Sequence, residues 1–465
     1  MDANLKCTAL PAVAIILLMT VILSCAGRRT MQATTQPFPD SPFSPFNMVT
    51  LENGLDVIVK EVHTAPIVAV YLWCNTGSVN EEERVHGISH FYEHMFFKGT
   101  EKRGVGEIDR AIKSIGGYNN AFTYKEYTAY FVVLPSENFD LAADVLIDAI
   151  RNSSFQQEDI EKELGVIKEE INRKEDNPTG TLYEEIFKLM FPGTPYAHPV
   201  LGTKESVSQI SREDFKDYLS RFYVPNNMTA VVIGDVDTDD AVKRIQKLTA
   251  GWEPNPDVDK HIVSFDVPKR EGIQGVTLEK DVNMSYVMMA FRTSGLKNEE
   301  ENIALDIASS ILGEGRSSRL YRRLVEIEQI AASVQAFILP LNEAGMFTVF
   351  GTMDREKVPA FKKAVIEEVE KLRSTPPTTA ELNKVKTMLK ADYTFANETN
   401  ADIGQTLGLY KTIDFFEHIV EYEKRIDGAA AADITRYVKN TLTPESYTIG
   451  VVNQRIPTDS EVRGE

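Results

Sequence analysis

Cysteine is nearly absent. The 465 residues hold three, Cys7, Cys25 and Cys74, too few for the disulfide framework of a small secreted scaffold. Positive charge is also short: 50 Lys and Arg stand against 69 Asp and Glu, a net charge of −19. That balance excludes a protein whose affinity comes from neutralising nucleic-acid phosphates. An acidic soluble surface is the simple reading, and an acidic cavity preferring cationic ligands is the sharper one. Composition is otherwise that of a folded soluble protein, with 43% hydrophobic and 26% charged residues, which excludes disordered, collagen-like and multispan membrane chains. Histidine is scarce too, only seven in all, so two of them in one short helix carry weight.

The one long apolar run lies at the start. Cys7 to Gly27 contains no charge, and Ala12 to Met19 forms an apolar centre leading into Ile22-Leu23-Ser24-Cys25. This resembles the lipobox of bacterial lipoproteins, which implies a signal peptide over 1–24, lipidation of Cys25 and export to the cell envelope. In a host with two membranes, Ala26 after the cysteine leans toward the outer one. An uncleaved signal anchor is the alternative, since the run is long enough to span a bilayer and Arg28-Arg29 follow it. Residues 25–46, rich in Pro, Thr and Ser, read as a tether. Cys74, in an apolar strand-like run, reads as a packed residue.

The remainder is a repeat. At an offset of 222, Ile150-Arg151 meets Leu372-Arg373 and Val166-Ile167 meets Met388-Leu389; at 219, Tyr218 meets Tyr437 and Pro225 meets Pro444. A period this long means duplicated domains rather than a solenoid. Each copy mixes strand runs, such as Val68–Leu72 and Tyr286–Phe291, with helical pairs over 139–171 and 358–394. The order lacks strict βαβ alternation, which predicts an α+β fold of mostly antiparallel sheets with packed helices. The boundaries are 47–250 for the first domain, 251–275 for a Pro-containing linker and 276–460 for the second.

The chemistry concentrates in Gly87-Ile88-Ser89-His90-Phe91-Tyr92-Glu93-His94-Met95. On a helix His90 and His94 stand one turn apart on one face, so both imidazoles reach one ion, with Glu93 beside them. Such an HxxEH pattern is expected by composition about 0.01 times in a chain of this length. A catalytic zinc usually keeps three protein ligands and an open position. Residues 159–174 form a carboxylate-rich helical stretch in which Glu163 and Glu170, seven apart, share a face, and Glu169 is turned away. Spacing alone leaves the third ligand open between them. A closed structural site would need a fourth ligand, for which His86 is the nearest candidate.

These residues resemble the pitrilysin/insulinase family of inverted zinc peptidases, in particular the two-domain branch that includes the mitochondrial processing peptidase. Further matches are Gly116 to Thr123, Glu163 to Ile171, Pro195 to Gly202 and Gly313 to Tyr321. The resemblance covers nearly the whole chain after the tether. It implies two homologous domains forming half of a clam-shell chamber. It also implies one Zn²⁺ on His90, His94 and Glu170, with Glu93 as general base and Glu163 as an accessory residue behind the site. Asn120, Ala121 and Phe122 match the edge strand on which peptide substrates add; a hairpin turn is the other reading of these residues.

Two departures matter. In the second copy the metal positions fall near Ile307, Ser310 and Ile311, none of which the zinc site could use. And where self-sufficient family members carry an Arg and, seven residues on, a Tyr that grip the substrate backbone and the oxyanion, this chain has Val325 and Ala332. The resemblance therefore implies the zinc-bearing subunit of a heterodimer whose partner supplies the Arg/Tyr pair. A non-catalytic binding or assembly subunit of the same family is the alternative.

Overall fold

The computed structural model describes residues 34–35, 43–260, 264–268, 271–415, 419 and 421–455. The signal segment, Cys25, His261 and His418 lie outside the described residues. No helix among the described residues is long and apolar enough to cross a membrane.

Two sheets organise the chain. The first contains β1 (Thr34–Thr35), β2 (Asn47–Thr50), β3 (Asp56–Glu61), β4 (Ile67–Cys74), β5 (Tyr118–Thr123), β6 (Thr128–Pro135) and β7 (Met228–Gly234), in the order β1-β2-β3-β7-β4-β6-β5. The second contains β8 (Gln274–Lys280), β9 (Ser285–Ser294), β10 (Ser333–Leu339), β11 (Ala344–Met353) and β12 (Thr448–Gln454), in the order β10-β11-β9-β12-β8. Read from the other end, the second order repeats β3-β7-β4-β6-β5 of the first. Pairing repeats as well: β3 with β7 and β8 with β12 are parallel, and every other pair is antiparallel. The duplication seen in sequence is thus a duplication of topology.

Local sequence explains strand placement. In β4, Ile-Val-Ala-Val-Tyr-Leu-Trp-Cys is apolar throughout and buried after its first residue, as expected of a central strand covered on both faces. Cys74 is fully buried there. The edge strand β10 instead alternates exposed and buried residues along its first half.

The halves interlock. The helix Asn400–Thr412, from the second half, packs on β4 and β7 of the first sheet, and the helix Pro178–Met190 of the first half packs on β9 and β12 of the second. These two helices are related by the same offset of 222 residues, so each half lends its sheet-covering helix to the other. Small residues permit the approach: a Cβ on Gly408 would lie 1.9 Å from Trp73 Nε1, and one on Gly450 2.7 Å from Leu182 Cδ2. The Tyr71 hydroxyl donates to the Ala401 carbonyl at 2.9 Å, and one apolar core runs through both halves.

The structure corrects the tether's end. Phe43 and Phe46, assigned to a solvated tether, are buried at 0% and 2% exposure in that shared core. Their Pro- and Ser-rich surroundings hid two large apolar anchors whose removal from water stabilises the fold.

Candidate metal centre

The helix Ile88–Phe96 carries the motif. It begins after Gly87, whose φ of 96° is left-handed and whose missing side chain leaves room for the Leu201 carbonyl, 2.6 Å from where a Cβ would stand. The Glu81 carboxylate accepts the free N–H groups of Gly87 (2.7 Å) and Ser89 (2.9 Å) at this helix start. Burial pushes Glu81 up to about 7. Ile88, Phe91, Tyr92 and Met95 anchor the helix in the core, and this fixes where His90 and His94 point.

Facing it is the helix Gln157–Asp176, which buries Ile160, Glu163, Ile167 and Ile171. The seven-residue spacing brings Glu163 and Glu170 to the same side, and the structure divides their work. Glu170 Oε2 lies 3.4 Å from His94 Nε2 and 3.6 Å from His90 Nε2. Glu163 Oε2 lies behind, 3.2 Å from His94 Nδ1, while its other oxygen meets Lys98 Nζ at 2.6 Å. Glu169 is turned to solvent, where Asn172 donates to it.

His90, His94 and Glu170 offer three ligand atoms within 4.8 Å of one another. Donors about 2.0–2.2 Å from one tetrahedral zinc stand about 3.3–3.6 Å apart, and the two Glu170 separations match this edge length. Donor chemistry agrees: two imidazoles and a carboxylate suit zinc and leave a fourth position open. Among the described residues no fourth His, Cys, Asp or Glu joins the group, so His86 does not close it. The residues present therefore fit a zinc ion with an open position.

Glu93 faces the same space. Its Oε2 accepts the Thr123 hydroxyl at 2.7 Å, and burial raises its carboxyl above the ordinary range although that bond opposes the shift. Glu170 is shifted downward, first by its hydrogen bond to His94. Burial holds His90 down to about 4. Burial works against protonation of His94 too, but Glu170 and Glu163 outweigh it and the net shift is upward.

Thr123 ends β5, and β5 carries Asn120, Ala121 and Phe122. These residues form an extended strand at the sheet edge, paired on one side to β6, with Ala121 opposite Tyr130; they do not form the turn, which follows at 124–127. Phe122 packs edge-on against Trp73, centroids 5.3 Å apart. The strand, the base and the metal group therefore meet at one end of the first sheet. Thr123 and Lys98 escaped the sequence reading, although Lys98 stands one helical turn past His94.

In the second half, Ile307, Ser310 and Ile311 sit buried in the helix Glu299–Gly313 as packing residues. Val325 lies in the π-helical turn Tyr321–Ile327, packed against the core, and Ala332 precedes β10. The guanidinium nearest Val325 in sequence is committed elsewhere: Arg323 pairs with Glu328 (2.7 Å), Glu367 (2.6 Å) and Glu368 (3.1 Å).

Fold and site together define a class: a duplicated α+β protein with an inverted His-x-x-Glu-His metal motif in its first half. Comparison with known proteins gives the family. Residues 56–204 match the profile of the insulinase family (peptidase family M16), and residues 209–389 match that of the peptidase M16 inactive domain. A Rickettsia felis protein named an uncharacterized zinc protease is 30% identical over 78% of this chain and 86% of its own length. The beta subunit of a probable mitochondrial-processing peptidase from Arabidopsis thaliana is 27% identical, over 87% of this chain and 78% of its own. The crystal structure of a protease from Helicobacter pylori superposes with a TM-score of 0.83 at 26% identity, over 88% of this chain and 99% of that one. The chain belongs to the insulinase family, peptidase family M16.

Proposed function

We propose that this chain is a zinc endopeptidase for unstructured peptides and the metal-bearing subunit of a two-subunit enzyme. The observation that carries the reading is the convergence of His90, His94 and Glu170 beside the Glu93 carboxylate. His90, His94 and Glu170 would hold the ion, which when bound supplies Lewis acidity toward a scissile carbonyl and acidifies water.

The chain's own residues do the rest. The free edge of β5, through Asn120, Ala121 and Phe122, pairs with an extended peptide by main-chain hydrogen bonds, so affinity is largely independent of sequence. Glu93 takes the proton of the attacking water at the carboxylate and returns it to the leaving amine. Burial, which favours its neutral form, suits it to both halves of that exchange. Thr123 fixes one oxygen of Glu93 and leaves the other to the reaction. Glu163, held by Lys98, orients the His94 ring through Nδ1.

The partner is inferred from Val325 and Ala332. Losing a preorganised donor to the developing oxyanion costs about 10²–10³ in rate, and a homologous subunit carrying the Arg/Tyr pair would restore it. Relatives in this family include a protein named as a processing-peptidase subunit, which supports such an assembly. The same two positions favour, as second reading, a non-catalytic binding subunit. We also propose lipidation at Cys25 and anchoring at the bacterial cell envelope.

Hydrolysis of an unstructured peptide mixture by residues 26–465, alone and with a co-purified homologous subunit, tests this beside Glu93→Gln. Zinc-dependent cleavage that appears with the partner and vanishes in the variant is expected. Cleavage by the chain alone would remove the need for a partner, and no cleavage under any pairing would favour the binding subunit.

A further inference from the structure

The two sheets carry matching hairpins. β5 and β6 are joined by the turn 124–127, and β10 and β11, which hold the corresponding places in the second sheet, by the turn 340–343. Each turn is seated on a glycine of its own half. A Cβ on Gly77 would lie 2.3 Å from the Tyr124 oxygen, and one on Gly295, 218 residues further on, 2.2 Å from the Asn342 oxygen. The Val79 N–H donates to the Lys125 carbonyl at 2.9 Å, as the Leu296 N–H does to the Leu341 carbonyl. The repeat thus builds the same seat twice.

The two turns meet at one carboxylate. Glu126 is only 7% exposed, and one of its oxygens accepts both the Asn342 N–H of the second half, at 2.9 Å, and the Tyr196 hydroxyl. That hydroxyl oxygen in turn accepts the Glu343 N–H at 3.1 Å. Lys125, also buried, donates to the Tyr196 and His198 carbonyls at 2.9 Å each and so fixes the loop that brings Tyr196 in. Val79, Phe187, Tyr196 and Leu341 belong to one apolar cluster around these groups. Donors buried among such side chains are costly to leave without an acceptor, so each turn holds the other in place.

The consequence reaches the metal group. Thr123 directly precedes the first turn, and its hydroxyl donates to Glu93 at 2.7 Å. The strand leading into it is the free edge that carries Asn120, Ala121 and Phe122. A shift of the turn therefore moves both the edge and the group that fixes the Glu93 carboxylate.

We propose that Glu126 is a positioning residue for peptide hydrolysis: through it the metal-free second half holds the β5–β6 hairpin, and with it the strand edge and Thr123, in register with the metal group. Its kinetic consequence rests on the peptidase reading above; the docking of the two turns does not.

Glu126→Gln keeps the accepting oxygen and Glu126→Ala removes it, while Tyr196→Phe keeps the ring and removes the hydroxyl's two bonds. Hydrogen exchange of the full chain, read by mass spectrometry, should quicken over both 118–128 and 340–346 in Glu126→Ala and Tyr196→Phe, and stay as in the wild type in Glu126→Gln. If Glu126→Ala does not fold, Tyr196→Phe against Glu126→Gln carries the comparison. With an unstructured fluorogenic peptide, in whichever subunit pairing hydrolyses it, Glu126→Ala should lower kcat/KM about 10–100-fold, with KM raised as well as kcat lowered. Tyr196→Phe should act in the same direction by less, and Glu126→Gln should stay near the wild type. A smaller folded fraction alone would lower kcat and leave KM unchanged. Unaltered exchange over 118–128 in both Glu126→Ala and Tyr196→Phe, a Glu126→Gln as damaged as Glu126→Ala, or a fall in kcat at constant KM would overturn the proposal. A wild type that hydrolyses nothing in any pairing would sink the peptidase reading and the kinetic role with it, while the exchange comparison still decides the docking.

Discussion

Replacing Gly408 by Ala should weaken the junction between the halves. Gly408 lies in the helix Asn400–Thr412 against the indole of Trp73, and an added Cβ would stand 1.9 Å from Nε1, 2.3 Å from Cδ1 and 2.4 Å from Cε2. The indole has little room to yield. It is fully buried, with Tyr71 stacked at 6.2 Å, Phe122 edge-on at 5.3 Å and Tyr127 at 5.6 Å. Overpacking of this kind costs about 1–3 kcal/mol, against which Ala in a helix interior regains about 0.5–1 kcal/mol. The net expectation is a loss of about 1–2 kcal/mol. Gly165 is the control: it is exposed in the helix Gln157–Asp176 with nothing within 4 Å of its Cβ position, so Gly165→Ala should stabilise by about 0.5–1 kcal/mol. Urea unfolding followed by tryptophan fluorescence and circular dichroism reads both. If Gly408→Ala matched or exceeded the wild type in stability, the lent-helix packing described above would be wrong.

Asp306 is buried, accepts the Tyr422 hydroxyl at 2.7 Å and is pushed up to about 8 by burial. The folded protein therefore keeps a proton that the unfolded chain releases near pH 4, and stability from this group falls as pH rises from about 4 to about 8. Asp306→Asn should show a melting temperature that gains on the wild type across that window; parallel curves would refute the assignment. Lys98→Met and Glu163→Gln should lower zinc affinity, Glu163→Gln by about 10–100-fold and Lys98→Met by less, as measured by competition with a chelating dye; unchanged affinity in both would deny them any hold on His94. Cys25→Ser should move the protein from the detergent phase to the aqueous phase of a cell extract, and aqueous wild type would contradict the lipid anchor.

What the sequence disclosed was local or periodic. The HxxEH run lies within one helix, the strands β4 and β9 are marked by unbroken apolar runs, and the repeat shows at a nearly constant offset. The carboxylate helix was half legible. A seven-residue spacing says that Glu163 and Glu170 share a face, but which of them meets two imidazoles depends on how two helices cross, and that is a tertiary fact. Thr123 on Glu93 and the lent helices are contacts between distant segments that no window displays. Phe43 and Phe46 were misread because Pro and Ser dominate their neighbourhood while burial is decided by the core they enter.

The most direct measurement of the central claim is anomalous X-ray scattering at the zinc absorption edge from crystals of the zinc-equilibrated protein. The account predicts one strong peak bonded to His90 Nε2, His94 Nε2 and Glu170 Oε2, each about 2.0–2.2 Å away, with Glu93 beside it and unbound. A strong peak elsewhere with none at these three atoms, or zinc bound through Glu93 in place of Glu170, would contradict it.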